Sequence, residues 1–190
     1  MPRLLIVGAG GHGRSVAEAV LAAGEFELVG FVDDAAPGLV KVWDFAVLGT
    51  TADLGRYRIH ADHAVVAVGN NAVRESLCNS LLAAGFELAT IVHPRAIVSP
   101  RAVVGQGCTV MAGAIVGTEA KLGCGVIVNC GAVVDHNAQV NDYAHLAVNA
   151  CMAGDSELGR SASMQAGSAL GHGCTVAAGA VMLSGTALPR

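Results

Sequence analysis

The chain has 190 residues, of which 53% are apolar and only 14% charged, and its formal net charge is −4. That balance excludes the basic stripe of a nucleic-acid surface, so we expect no nucleic-acid partner. No apolar run reaches the roughly 18 residues of a transmembrane helix, and the short apolar stretch 4–7 is not typical of a signal peptide. Since the six cysteines form no CxxC pair, we expect reduced thiols in a cytoplasmic protein that does not insert into membranes.

The first half of the chain predicts alternating strands and helices. The apolar runs that predict buried strands are 3–7, 28–32 and 64–68. Apolar residues at three- and four-residue spacing over 14–23 and 72–84 predict amphipathic helices. This alternation is typical of a small parallel sheet flanked by helices, and we assign a Rossmann-like α/β domain to residues 1–89.

A glycine-rich turn follows the first predicted strand. Gly8, Gly10 and Gly13 satisfy the G-x-G-x-x-G pattern, and Asp33 follows at the distance of a ribose-binding acid in dinucleotide folds. Backbone N–H groups at a helix N-terminus bind any phosphate, however, so the turn indicates a diphosphate-bearing ligand better than a nicotinamide. An NAD-binding module and a purely structural turn stay open as alternatives.

The second half of the chain has a strict period of six residues. Every sixth residue from Val92 to Leu188 is aliphatic or Met, and the residue two places earlier is small in every hexad except at Val126. A fixed period of this length indicates a β-helix. Positions two apart face the same side of a strand, so both members of each pair are predicted to point inward.

The remaining hexad positions are rich in Gly, Asn and Asp, which suit tight corners. Three hexads then make one triangular coil, and residues 18 apart stack in columns. One such column places Gly154 between His136 and His172. We assign this domain to residues 90–190, with between five and six coils at a spacing of about 4.8 Å. Outward apolar residues such as Val103 and Ile115 predict association of copies.

Several motifs together resemble the bacterial sugar acyltransferases that join a small Rossmann-like domain to a left-handed β-helix. Known members are sialic-acid O-acetyltransferases and UDP-4-amino-sugar N-acetyltransferases. The resemblance covers nearly the whole chain. Its marks are Gly10-Gly11-His12-Gly13, Phe31-Val32-Asp33-Asp34, Val68-Gly69-Asn70-Asn71 with Arg74, His93-Pro94, and Val134-Asp135-His136 followed by His145.

The resemblance implies a homotrimer of left-handed parallel β-helices, with acetyl-CoA as co-substrate in the cleft between adjacent prisms and no metal. A UDP-linked amino sugar would bind the N-terminal domain. By match, Gly10, Gly11 and His12 would contact the diphosphate or sugar. Asp33 and Asp34 would contact the uridine, with Gly69 lining the same pocket.

The implied chemistry is acetyl transfer with His136 as the general base, because an imidazole titrates near neutrality. The backbone N–H of Gly154, one coil away, would stabilise the oxyanion. The residues implied to contact acetyl-CoA are His145, Gly154, Ala166 and Ser184.

The chain departs from the family beside the catalytic histidine. An acid usually follows that histidine, whereas this chain has Asn137, which orients an imidazole without stabilising its charge. Asp135 on the other side of His136 is a candidate substitute, and we include both neighbours in the predicted catalytic set. The departure keeps open a catalytically weakened trimer that binds nucleotide sugars, beside the alternative of sialic-acid-type O-acetylation.

A zinc enzyme of the γ-carbonic anhydrase type is a further alternative on the same prism. It would use His136 and His145 between subunits, but no closely spaced third ligand is evident. His60, His63 and His172 are expected to be ordinary surface residues.

Overall fold

The computed structural model describes residues 1–189. Its N-terminal part is a four-stranded parallel sheet with the order β2-β1-β5-β6, together with a small antiparallel hairpin. The elements are β1 Arg3–Val7, α1 Gly11–Ala23, β2 Glu27–Val32, β3 Lys41–Val42, β4 Phe45–Ala46, a 3-10 segment Thr51–Ile59, β5 His63–Val66, α2 Asn71–Ala83 and β6 Glu87–Leu88.

Strand β1 lies at the centre of this domain and is buried on both faces. Leu4 and Ile6 pack in the cluster that contains the apolar side of α1, whereas Leu5 and Val7 pack in the cluster that contains residues of α2. Alternate side chains of one strand thus enter two separate cores. The result is the three-layer α/β arrangement expected from the sequence.

The first helix begins three residues earlier than the apolar spacing predicts. Gly10 is the N-cap in an extended conformation, so Gly11 to Gly13 form the first helical turn and not a preceding loop. The helix ends at Gly24, which has a left-handed conformation with φ 67°. At the start of α2, the Asn70 side chain accepts a hydrogen bond from the Val73 N–H at 3.0 Å.

The C-terminal part is a parallel β-helix of two-residue strands in three sheets, which we call faces 1, 2 and 3. Face 1 consists of β7 Ile91–Val92, β10 Thr109–Val110, β13 Ile127–Val128, β16 His145–Leu146, β19 Ser163–Met164 and β22 Val181–Met182. Face 2 consists of β8 Ile97–Val98, β11 Ile115–Val116, β14 Val133–Val134, β17 Cys151–Met152, β20 Ala169–Leu170 and β23 Ala187–Leu188. Face 3 consists of β9 Val103–Val104, β12 Lys121–Leu122, β15 Gln139–Val140, β18 Glu157–Leu158 and β21 Thr175–Val176.

The register of the prism follows the sequence period. Val116 pairs with Val134, and Val134 pairs with Met152, so residues 18 apart are neighbours on each face. The aliphatic and small positions of the hexads form one continuous buried core. The expected fold class, a Rossmann-like domain followed by a left-handed parallel β-helix, is confirmed.

The corners explain the Gly, Asn and Asp content of the hexads. One corner position has a left-handed conformation, with φ between 54° and 72°, in every hexad from Gly107 to Gly185. Glycine occupies most of these positions because it adopts positive φ without steric cost. The non-glycine residues there are Glu119, Asn137, Tyr143, Asn149, Asp155 and Ser161.

The N-terminal domain packs on the prism at face 1 and at the edge where face 3 meets face 1. Helix α1 contacts β7, and the Asn71 side chain of α2 donates to Ser161 O at 2.8 Å and to Ser163 Oγ at 2.9 Å. The predicted division at residues 89/90 falls between β6 and β7 and stays a prediction. Within residues 1–189, neither helix is long and apolar enough to cross a membrane.

Candidate active site

His136 lies at the edge where face 2 meets face 3, which we call edge 2–3. It follows β14, and its side chain is 46% exposed. The imidazole packs flat against Gly154 of the next coil, and a Cβ at position 154 would overlap the ring. The stacking predicted from the spacing of 18 residues is therefore present, and glycine is required at position 154 for the ring to lie where it does.

Polar groups flank the imidazole of His136 on both sides. The Asn137 Nδ2 lies 3.4 Å from Nδ1, and the Asp135 Oδ2 lies 4.0 Å from Nε2. The other oxygen of Asp135 accepts a hydrogen bond from the His136 N–H at 2.7 Å, which holds the carboxylate in place. The amide and the carboxylate thus lie near different ring nitrogens, and the catalytic role of the three residues stays a prediction.

Gly154 is buried beside the His136 ring. Within residues 1–189 its N–H donates no hydrogen bond, although the neighbouring Asp155 N–H donates to His136 O at 3.1 Å. A free backbone donor next to an exposed imidazole is the arrangement that stabilises a developing oxyanion beside a general base.

His172 lies on the same edge and was expected to be an ordinary surface residue. Its ring centroid is 6.4 Å from that of His136, and its Nε2 is 3.7 Å from Asp155 Oδ2. The signal for this proximity was in the sequence, because 36 residues separate the two histidines, with a glycine midway between them.

Two grooves flank edge 2–3. One has a volume of about 420 Å³ on face 2, and its lining is apolar except for Asp135. The other has a volume of about 380 Å³ on face 3 and is lined by polar side chains, including Asn137. A ligand at His136 therefore meets apolar surface on one side and polar surface on the other.

The glycines of the N-terminal domain fall into two groups. A Cβ at Gly8 would lie 2.7 Å from Ala67 O, and one at Gly13 would overlap Gly8 O, so both are needed for packing. A Cβ at Gly10, Gly11 or Gly69 would meet nothing within 4 Å, and none of these three has a positive φ. Packing gives no reason for glycine at those three positions, which matches their predicted role in close approach of a ligand.

The carboxylates of Asp33 and Asp34 already accept hydrogen bonds from the protein backbone. Asp33 accepts hydrogen bonds from the Ala9 N–H at 2.7 Å and the Ala35 N–H at 2.8 Å. Asp34 accepts from the Thr51 N–H at 2.8 Å and from its hydroxyl. Both carboxylates border a cavity of about 130 Å³, and its other lining residues are Val7, Gly8, Val32, Thr51, Val68, Val73 and Leu77.

His12 and His145 are brought together where the two domains meet. The Nε2 of each is buried and makes no hydrogen bond within residues 1–189. Burial lowers the pKa of each imidazole to about 4, with a smaller contribution from the nearby Arg74 guanidinium, so both are neutral at pH 7. His145 therefore lies with the predicted sugar-binding residues, and its assignment to acetyl-CoA stays a prediction.

The remaining predicted acetyl-CoA residues are divided between two edges. Gly154 lies on edge 2–3 with His136, whereas Ala166 and Ser184 lie on the edge between faces 1 and 2. The Ser184 hydroxyl contacts Gln165 Oε1 at 3.3 Å. In a triangular prism edge 2–3 is opposite face 1, so one chain does not bring His136 and His145 together.

Within residues 1–189, no group of three or more His, Cys, Asp or Glu side chains is placed to hold a metal ion.

The comparisons with known proteins agree with these observations. The family described as PglD N-terminal domain matches residues 3–81. A mutant of perosamine N-acetyltransferase from Caulobacter crescentus, in complex with CoA and GDP-perosamine, is 30% identical with a TM-score of 0.86, over 98% of this chain and 91% of that one. The acetyltransferase domain of PglB from Neisseria gonorrhoeae, in complex with acetyl coenzyme A, is 37% identical with a TM-score of 0.81, over 99% and 93% of the two chains.

WeeI from Acinetobacter baumannii shares the fold, with 21% identity and a TM-score of 0.68 over 97% of this chain and 93% of that one. No curated protein matches the sequence. The expected family and the expected acyltransferase class are confirmed. The chain belongs to the bacterial sugar acetyltransferases in which a PglD-type N-terminal domain precedes a hexapeptide-repeat β-helix.

Proposed function

We propose that this protein transfers the acetyl group of acetyl-CoA to the amine of a UDP-linked amino sugar, with His136 as general base. The observation that carries the proposal is the packing of His136 against Gly154, whose N–H is free within residues 1–189. The perosamine relative with CoA and GDP-perosamine, and the PglB relative with acetyl coenzyme A, support acetyl-CoA as the donor and a nucleotide-linked amino sugar as the acceptor.

The reaction needs a base and an oxyanion donor. The amine nitrogen attacks the acetyl carbonyl carbon, and His136 removes the proton from that nitrogen as the new C–N bond forms. The Gly154 N–H donates to the carbonyl oxygen while it bears negative charge. When the C–S bond breaks, the CoA thiolate takes the proton from the imidazolium, which restores the neutral base. A base of this kind typically contributes about 10²- to 10⁴-fold in rate.

Asn137 is suited to fix the tautomer of the base. Turning its amide about the last side-chain bond presents Oδ1, in place of Nδ2, to the His136 Nδ1. A proton on Nδ1 then has an acceptor, and Nε2 is left with the lone pair that the reaction needs. Asp135 on the Nε2 side supplies negative charge near the imidazolium when it forms.

The nucleotide sugar belongs on the N-terminal domain. Gly10, Gly11 and Gly69 leave the backbone open to close approach, and the start of α1 offers N–H groups to a diphosphate. The cavity bordered by Asp33 and Asp34, of about 130 Å³, is the proposed place for the base. Uridine is proposed because of the resemblance to UDP-4-amino-sugar N-acetyltransferases, although the perosamine relative was crystallised with GDP-perosamine.

The proposed site is completed by a second copy of the chain in a homotrimer. One copy provides edge 2–3 with His136 and Gly154, and its neighbour provides face 1 with His145 and the adjoining edge with Ala166 and Ser184. Exposed apolar side chains on faces 2 and 3, such as Ile97 at 65% and Val103 at 60% exposure, support burial between copies. The free state of all six cysteines supports a cytoplasmic location.

The test is acetyl transfer to a panel of UDP- and GDP-linked amino sugars, measured as release of CoA thiol and as the mass of the sugar product. We expect the UDP-linked amine to be acetylated, and we expect His136→Ala and Gly154→Ala to reduce kcat by at least about 100-fold. Gly55→Ala is the matched control, because a Cβ there would make only ordinary contact at 3.5 Å. A His136→Ala variant with the wild-type rate would overturn the mechanism, and preference for GDP sugars would overturn the uridine assignment.

Asn137 favours a second candidate function, a nucleotide-sugar-binding trimer with a decayed acyl-transfer site. In that case UDP-sugars would stabilise the protein against heat, while acetyl-CoA would neither stabilise it nor yield product. Transfer to a sugar hydroxyl is the remaining variant of the same chemistry, and a hydroxyl-bearing acceptor in the panel separates it from N-acetylation.

A further inference from the structure

Arg74 is a fully buried arginine that connects the two domains. It lies on α2, and its guanidinium reaches the edge between faces 3 and 1. Nε donates to Gly125 O at 2.7 Å, and Nη2 donates to Tyr143 O at 2.6 Å. On its own domain, Nη1 donates to Val68 O at 3.0 Å and to Gly69 O at 3.2 Å. One side chain thus fastens the Gly69 turn to the β-helix.

The charge of Arg74 has no anionic partner among the described residues that its guanidinium contacts. Its hydrogen bonds go to carbonyl oxygens of the main chain and to the Asn71 side-chain amide, at 2.8 Å. Burial raises the pKa of the nearby Cys78 and Cys108 thiols to about 12, and it raises the pKa of the Tyr143 hydroxyl as well, so all three are neutral. The pKa of Arg74 falls to about 10, which still leaves it protonated at pH 7.

The same positive charge acts on the two histidines at the domain junction. It disfavours the protonated forms of His12 and His145, each of which also has a buried Nε2. The titratable groups that act on this pair are Arg74 and the two imidazoles themselves, while the Gly69 backbone opposes the effect at His145. Arg74 is 0% exposed, so it cannot contact a ligand directly.

We propose that Arg74 is a positioning residue of the acceptor-sugar site: it fixes the Gly69 turn against the β-helix. This inference rests on the proposed function, in which the Gly69 turn lines the sugar site. The N-terminal domain then presents the sugar at one fixed place relative to face 1.

The matched control is Arg160, a second arginine at the same junction. It bridges Glu75 of α2 and Asp142 of the prism, and its guanidinium lies 5.1 Å from the centre of the Tyr143 ring, but its side chain is 47% exposed. Arg160→Met removes an interdomain arginine without changing the contacts of the Gly69 turn. Exposed ion pairs contribute little, so this variant should behave like the wild type.

The experiment compares Arg74→Lys, Arg74→Met and Arg160→Met in steady-state kinetics and in NMR titration of the imidazole C–H signals, assigned with His12→Gln and His145→Gln. Lysine keeps the charge but not the planar fork, so Arg74→Lys should raise KM for the nucleotide sugar about tenfold or more and leave KM for acetyl-CoA unchanged. In Arg74→Met both histidines should titrate closer to pH 6.5 than in the wild type.

If Arg74→Met does not fold, Arg74→Lys alone tests the proposal. The ratio of its KM for the nucleotide sugar to its KM for acetyl-CoA separates a loss of positioning from a general loss of structure. The proposal is overturned if both arginine positions give the same kinetic change, or if KM for the two substrates rises equally. Should the wild-type protein transfer no acetyl group, calorimetric binding of the UDP-sugar replaces KM. Failure of the proposed chemistry is thereby distinguished from failure of the Arg74 assignment, because unaltered sugar binding in Arg74→Lys would overturn only the latter.

Discussion

At the scale of single residues, position 137 combines a backbone requirement with a chemical one. Asn137 has φ 57°, a conformation that asparagine tolerates better than most residues. The same column contains Glu119 at φ 59° and Asp155 at φ 57°, so an acid is sterically acceptable there. The backbone therefore explains a small polar residue at this corner but does not require an amide in place of the family's acid.

Asn137→Asp is predicted to increase activity. A carboxylate beside His136 Nδ1 stabilises the imidazolium that forms in the reaction, so kcat/KM should rise by up to about tenfold. The measurement is kcat/KM for the nucleotide sugar from pH 5 to 9, at saturating acetyl-CoA.

Asn149→Asp is the control, since Asn149 has φ 56° at the same hexad position on another edge. It should leave the profile unchanged. An unaltered or slower rate in Asn137→Asp would mean that the missing negative charge at position 137 does not limit the rate of transfer. Asp135 would then already supply the negative charge beside His136.

Residue pairs along a column were predictable, whereas pairs between domains were not. The stacking of His136 on Gly154 follows from the 18-residue coil alone. Arg74, by contrast, lies 51 residues from Gly125 and 69 from Tyr143, and no periodicity relates α2 to the prism. The burial of Arg74 is visible only once the two domains are packed together. The sequence therefore identified Arg74 as part of a family motif but gave no role for it.

At the scale of elements, the strands, corners and register of the prism followed from its period, whereas its handedness came only from the resemblance and the N-terminal domain has no period. The two-residue strands repeat one physical unit, so each hexad confirms the next. The hairpin of β3 and β4 and the 3-10 segment Thr51–Ile59 have no such repetition, and the sequence did not predict them. The early start of α1 was not predicted either, because glycine disfavours helix and the run Gly10-Gly11-His12-Gly13 is typical of a turn.

The contact between α1 and face 1 makes stability depend on pH. His12 of α1 and His145 of β16 have pKa values of about 4 in the folded state, against an ordinary 6.5. Between pH 6.5 and 4 the unfolded chain therefore binds more protons, so stability is full above pH 6.5 and falls as the pH drops toward 4. The loss should be about 1–3 kcal/mol per histidine.

Thermal unfolding measured from pH 7.5 to 4 tests this expectation, with Tm decreasing below pH 6.5. The double variant His12→Gln, His145→Gln should flatten that part of the curve, whereas His60→Gln, at an exposed position, should leave it unchanged. An equally steep curve in the double variant would show that other groups cause the acid instability.

At the scale of the whole molecule, the prism separates the two halves of the proposed site. Edge 2–3 has the proposed base His136 and the proposed oxyanion donor Gly154, while face 1 has the N-terminal domain and the residues proposed to bind the sugar. The sequence indicated each half from local motifs. The nine residues between His136 and His145, half of an 18-residue coil, already place the two histidines on opposite sides of the prism. What the sequence did not contain is how copies associate and bring the two halves together.

Subunit complementation is the decisive prediction at this scale. His136→Ala removes the base from edge 2–3, and His145→Gln alters face 1, so each homotrimer should be strongly impaired. Every mixed trimer of the two variants, whether two-to-one or one-to-two, has about one cleft in three that combines an intact edge 2–3 with an intact face 1. Co-expressed, differently tagged variants purified on both tags contain only mixed trimers and should therefore recover about a third of the wild-type rate.

The control is a mixture of the two separately purified homotrimers, which should stay inactive as long as subunits do not exchange. If the co-purified mixture is also inactive, each site is built within one chain. The sugar must then reach His136 without binding to face 1 of a neighbouring copy. If His145→Gln alone keeps the wild-type rate, His145 has no part in the reaction. The complementation experiment is then repeated with Gly11→Val, which alters the Gly10–Gly11 turn, in place of His145→Gln. Recovery in the mixture, together with inactivity of both parents, is explained only by a cleft that two copies share.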